Sequence, residues 1–159
     1  MILVWWLFVE GRQRPHASRD VIVGFGAIEA VSTSLVLHAG GGRIRILVRE
    51  FVEPSNLQRQ TLFDENDASE ALPKAIAAER KLKSINSTIS VEGIVADLNP
   101  KNAVELLQGF DVMLDGSDNF ETRLLDNDFS VQSSRTAIDA AAIAATAYHK
   151  TVRPGKTAC

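Results

Sequence analysis

From Val21 onward, short runs of β-branched residues alternate with longer stretches of helical period, and no other feature of the chain limits its fold so tightly. Val21-Ile22-Val23 is a strand candidate closed by Gly24-Phe25-Gly26, and Ala27 to His38 follows as a helix with Ile28, Val31, Leu35 and His38 along one stripe. Three glycines, Gly40 to Gly42, stop it before a second strand at Arg43 to Arg49. An irregular polar stretch, Glu53 to Ser69, precedes a helix over about Leu72 to Ile85, where Ala75, Ala78, Leu82 and Ile85 share a face. Ile89 to Val95 reads as a third strand, and Asn99 to Leu107 as a short helix capped by Asn99 with Pro100 at its first position. Phe110 to Leu114 is a fourth strand, Asn119 to Gln132 a helix, and Thr136 to Ile138 a fifth strand. Ala140 to Ala147, nearly all alanine, isoleucine and threonine, reads equally as buried strand or helix. Strands separated by helices imply βαβ units: an α/β fold, doubly wound, with a mostly parallel sheet and helices on both faces, Rossmann-like.

A length of 159 residues suits one such domain, and no repeat or low-complexity linker divides it. The expected organisation is an N-terminal segment over 1–20 and the domain over 21–159. A net charge of −3 gives no electrostatic reason to expect nucleic acid or an anionic membrane as partner. The single cysteine, Cys159, allows no intramolecular disulfide and no closed zinc site from this chain's cysteines, so a reducing, cytoplasmic setting is expected. The opening run MILVWWLFV is too short for a membrane-spanning helix, which needs about 20 apolar residues. With no basic residue before it and no A-x-A site after it, it reads first as a segment that packs on the domain or on a partner, with a signal or anchor, or a mis-assigned or truncated start, as the alternatives.

Ligands of doubly wound sheets bind outside the carboxyl ends of the strands, where strand order reverses. That rule selects three segments. Gly24 and Gly26, followed by Ala27, permit a tight turn that brings backbone N–H groups to a phosphate at a helix N-terminus; the third glycine position of a dinucleotide fingerprint is filled by Glu29, a bulky anion. The second strand ends Val48-Arg49-Glu50, where Glu50 either reaches a ribose or is a solvated carboxylate. Beyond it, Ser55, Asn56, Gln58 and Arg59 form either a phosphate-gripping loop or an ordinary solvated one. Lys74 begins a helix, an unfavourable place for a cation unless an anion or solvent compensates. After the fourth strand, Asp118 can hold a magnesium ion that bridges phosphates, or cap the next helix beside Asn119. Glu121 and Arg123 fit a helix surface.

Taken together, V-I-V-G-F-G-A at 21 to 27, F-V-E-P-S-N-L-Q-R-Q-T-L-F at 51 to 63, L-P-K at 72 to 74 and D-G-S-D-N-F-E-T-R at 115 to 123 resemble the ThiF-type family. These are adenylyltransferases of thiamine and molybdopterin synthesis related to ubiquitin-activating enzymes; the S-N-L-Q-R-Q run is the most specific of the four. The resemblance covers the front part of a usual member. It implies ATP-dependent activation of the C-terminal glycine of a ubiquitin-like sulfur-carrier protein as an acyl-adenylate, with pyrophosphate released. Gly24, Gly26 and Ala27 would lie along the nucleotide, with Ser55, Asn56 and Arg59 on ribose and phosphates. Lys74 would stand at the reacting phosphate, and Asp118 would orient magnesium with Asn119 beside it. A homodimer is the assembly that relatives of this kind suggest.

The sequence also departs from that pattern. Val48 stands where the family has an aspartate for the ribose, leaving Glu50 as the substitute; Ala27 and Glu29 replace glycines. Pro15 falls in what is a helix in relatives. Cys159 takes the place of the first cysteine of a C-x-x-C zinc pair, so the family's zinc site is not expected in this chain. Three readings stay open: an ATP-using adenylyltransferase, a catalytically impaired member or fragment of that family, and an NAD-binding oxidoreductase domain resting on the glycine turn alone.

Overall fold

The computed structural model describes residues 18–38, 42–143 and 146–157. The apolar N-terminal run, Pro15 and Cys159 lie outside the described residues. Among the described residues six strands form one sheet: β1 (Arg19–Val23), β2 (Arg43–Leu47), β3 (Ser90–Ile94), β4 (Val112–Asp115), β5 (Thr136–Ile143) and β6 (Thr146–Val152). Their spatial order is β3-β2-β1-β4-β5-β6. All neighbours are parallel except β6, which returns antiparallel along β5. Among the described residues the helices are α1 (Ala27–His38), α2 (Glu65–Ser69), α3 (Lys74–Ile85), α4 (Ala103–Leu107) and α5 (Phe120–Ser133), with a 3-10 turn at Pro54–Asn56. Order reverses between β1 and β4, as the doubly wound expectation requires.

Alternation along β1 divides the core in two. Ile22 belongs to a cluster with Ile44, Ile46, Leu37 and the α3 residues Ala75, Ala78 and Leu82, while Val21 and Val23 join Leu107, Phe110, Met113 and Ala137. Successive side chains of a strand face opposite ways, so a parallel strand covered on both faces must read as an unbroken apolar run. Val21-Ile22-Val23 does.

Helix α1 spans the expected residues but presents the other face. Ala30, Thr33 and Leu37 are buried, whereas Val31 is 47% and Leu35 65% exposed, and His38 is exposed. The stripe Ile28-Val31-Leu35-His38 is therefore not the core face. The helix carries apolar residues on more than one side, so periodicity alone does not say which side meets the sheet. In α3 the expected face holds for Ala75, Ala78 and Leu82, while Ile85, at the last turn, is exposed. Helix α4 starts later than expected: the Asn99 side chain accepts from the Lys101 N–H (3.0 Å) and its carbonyl from Ala103 N–H (3.0 Å), closing a turn ahead of the helix. Ala140–Ile143 and Thr146–Ala147 are strand.

Candidate functional site

The turn after β1 is stitched to both neighbouring strands. Gly24 N–H donates to the Leu47 carbonyl (2.9 Å), and Gly116 N–H donates to the Val23 carbonyl (2.9 Å). Gly24 holds φ +78°, and a Cβ there would meet the Gly116 carbonyl carbon at 2.9 Å, so both conformation and space require glycine. This turn floors a crevice of about 720 Å³ at the carboxyl edge of the sheet. Its walls bring together Gly24, Gly26, Ala27, Glu50, Asn56, Arg59, Lys74, Asp118 and Asn119. Three chain segments chosen from sequence therefore converge on one cavity at the strand-order reversal.

Ser55 does not join them; it is exposed, and its hydroxyl donates to Glu53 (3.2 Å). Asn56 is buried and braces its own loop, its side-chain oxygen accepting from Glu53 N–H (3.2 Å). The exposed Arg59 guanidinium reaches back to the Ser55 carbonyl (3.0 Å), which tethers the head group at the crevice wall. Lys74 is only 4% exposed, and its compensating anion is Glu50, with which it forms a direct ion pair. Glu50 is thus engaged by Lys74 through one carboxylate oxygen, while its side chain stays 55% exposed at the crevice wall. Val48, at the family's aspartate position, is buried in the core. Asn119, not Asp118, caps α5: its side chain accepts from Glu121 N–H (2.9 Å). That leaves the Asp118 carboxylate uncommitted to the cap. Among the described residues no group of three or more His, Cys, Asp or Glu forms a metal cage.

Two residues matter more than their sequence positions suggest. Glu29 is 8% exposed, and its carboxylate accepts from the Gly26 N–H at 2.9 Å. Burial raises its carboxyl above the usual glutamate range, against the pull of its amide donors. Arg123, read as helix surface, instead lines the crevice, donating from Nε to the Ser117 carbonyl (3.1 Å) and pairing with Asp139 (3.0 Å). Its place four residues after Asn119, one turn into α5, was the available signal. Asp115, buried beneath it, is raised by desolvation.

The chain is 41% identical over 149 residues to the sulfur carrier protein ThiS adenylyltransferase of Bacillus subtilis, covering 94% of this chain and 44% of that protein. It is 38% identical over 122 residues to a sulfur carrier protein adenylyltransferase of Thermus thermophilus, covering 77% and 44% respectively. Among solved structures, E. coli MccB with ATP superposes with a TM-score of 0.86 at 27% identity, over 93% of this chain and 44% of that one. The chain thus spans less than half the length of these relatives. A model of the ThiF family matches residues 3–159, and the chain belongs to that family.

Proposed function

We propose that the crevice binds Mg-ATP and that the chain carries the nucleotide-binding part of an adenylyltransferase acting on a ubiquitin-like sulfur-carrier protein. The observation that supports this is the convergence of Arg59, Lys74 and Asp118 on one cavity with the glycine turn. A carrier's C-terminal carboxylate oxygen would bond to the α-phosphorus of ATP while the bond from that phosphorus to the β-phosphate oxygen breaks. The products are an acyl-adenylate and pyrophosphate. Bringing carboxylate to phosphate sets anion against anion, and preorganised positive charge offsets this most where water is scarce. Lys74, buried and held by Glu50, supplies fixed charge, and Arg59 at the rim supplies forked donors to phosphate oxygens. Magnesium takes one or two carboxylates together with phosphate oxygens; Asp118 would hold it, and the ion would neutralise phosphate charge. A cytoplasmic homodimer is part of the same reading.

The test is ATP–pyrophosphate exchange by the chain in the presence of Bacillus subtilis ThiS as probe. Exchange is expected, and Arg59→Ala is expected to lower it by about 100-fold, the scale of losing one transition-state donor. Exchange that is unchanged in Arg59→Ala would count against the assignment. A second reading, nucleotide binding without turnover, is favoured by Val48 and Glu29 at the nucleotide edge. It predicts calorimetric Mg-ATP binding with no exchange.

A further inference from the structure

The N-terminus of a long helix is an anion seat, because its first backbone N–H groups lack intrahelical partners and the helix dipole is positive there. Helix α1, twelve residues long, offers such a seat through the glycine turn. Here the seat is taken from within. The Glu29 carboxylate accepts from the Gly26 N–H at 2.9 Å and is buried. Its side chain also lies across the turn that follows β4: a Cβ on Gly116 would fall 2.0 Å from the Glu29 carboxyl carbon. Glu29 therefore bridges the crevice floor between the loops that end β1 and β4, and it lines the same cavity as Arg59, Lys74 and Asp118.

We propose that Glu29 is a built-in competitor for the phosphate seat: a nucleotide's phosphates enter only by displacing its carboxylate, while the nucleoside portion binds without hindrance. This rests on the Mg-ATP reading and deepens it. Part of the contact has an ordinary purpose. A glutamate three residues into a helix that reaches back to the capping N–H is half of a capping box and stabilises the helix start. Capping glutamates usually stand in solvent, where they obstruct nothing. This one is enclosed in the crevice, where a second anion meets like charge that costs substantial binding free energy.

Binding to the whole chain, measured by calorimetry with Mg-ATP and separately with adenosine, tests the idea on wild type, Glu29→Gln and Glu29→Ala. Glutamine keeps the size and an acceptor for Gly26 N–H, so it removes charge while leaving the cap. The expected result is ATP binding about tenfold tighter in Glu29→Ala, a smaller gain in the same direction in Glu29→Gln, and adenosine affinity unchanged throughout. ATP affinity equal in all three proteins would overturn the competitor and leave the nucleotide site standing. No ATP binding by any of the three would instead remove the nucleotide reading, and the competitor with it.

Discussion

Asp126 projects from α5 into the interior with 2% of its surface exposed, and among the described residues neither carboxylate oxygen has a hydrogen-bond partner. Burial first, then the negative charges of Asp115 and Asp139, push its carboxyl up to about 8. An unfolded aspartate ionises near pH ~4. Between those values the folded chain keeps a proton that the unfolded chain has lost. Stability then falls as pH rises, by about 1.4 kcal/mol per pH unit, and levels off above the folded value. Asp115 and Glu29, also raised by burial, act with the same sign. Asp111, hydrogen-bonded by Arg19 and held below the usual range, acts oppositely and only at acid pH. Asp126→Leu, close in size and apolar, is expected to add about 2–4 kcal/mol at pH 8 and much less at pH 5. Urea melts of both proteins at the two pH values check this; a constant gap would show that Asp126 is not the titrating group.

Helix α3 approaches β3 so closely that a Cβ on Gly93 would stand 2.2 Å from the Ala75 carbonyl oxygen. From the same helix, Glu79 accepts the Gly93 N–H at 2.8 Å, so part of this edge strand is satisfied by a helix rather than left open. Gly93→Ala must push the two elements apart, and is expected to destabilise the fold by about 2 kcal/mol, the scale of overpacking. An unchanged urea midpoint would mean that α3 can shift freely. Legibility at this scale depended on local chemistry. Helix α1 and strands β1, β2 and β4 were readable because glycines flank them, and α3 because Ala75, Ala78 and Leu82 recur at helical spacing. Strand β6 was not, since every residue from Thr146 to Thr151 is exposed and no alternation marks a buried side. The short helix α2, capped at both ends within five residues, is shorter than the pattern needed to detect it. At the crevice, Arg59, Lys74 and Asp118 were brought together by the resemblance of the motifs that carry them, since spacing alone left a solvated loop, a compensated lysine and a helix cap as open readings. The Glu50–Lys74 pair and the inward turn of Glu29 were not legible, because side-chain direction is fixed by packing that the sequence does not display.

At the scale of the whole molecule, the crevice is assembled from both halves of the sheet. Its walls run from the glycine turn after β1 and the loop after β2, through the start of α3, to the turn after β4 and Tyr148 on β6. Each face of the sheet has its own core cluster, and the crevice is lined by residues of both, Phe25 and Val48 from one and Val23, Leu47 and Leu98 from the other, so a ligand there touches loops anchored in both. A ligand that binds only the assembled fold stabilises it by mass action, about 2.7 kcal/mol at a concentration of 100 times Kd. In a domain of this length each kcal/mol moves the melting temperature by about 2–4 °C, so saturating Mg-ATP is expected to raise it by about 5–10 °C. NAD at the same concentration is expected to leave it nearly unmoved, because its bridging diphosphate offers less negative charge than a triphosphate to Arg59, Lys74 and a magnesium ion at Asp118. Arg59→Ala, which alters only an exposed side chain, should keep the ligand-free melting temperature within about 1 °C of wild type and lose most of the ATP shift. Differential scanning fluorimetry with the four combinations of protein and ligand decides it. An NAD shift as large as the ATP shift would mean that the crevice does not discriminate by its phosphate-facing cations, and would return the glycine turn to an ordinary dinucleotide role.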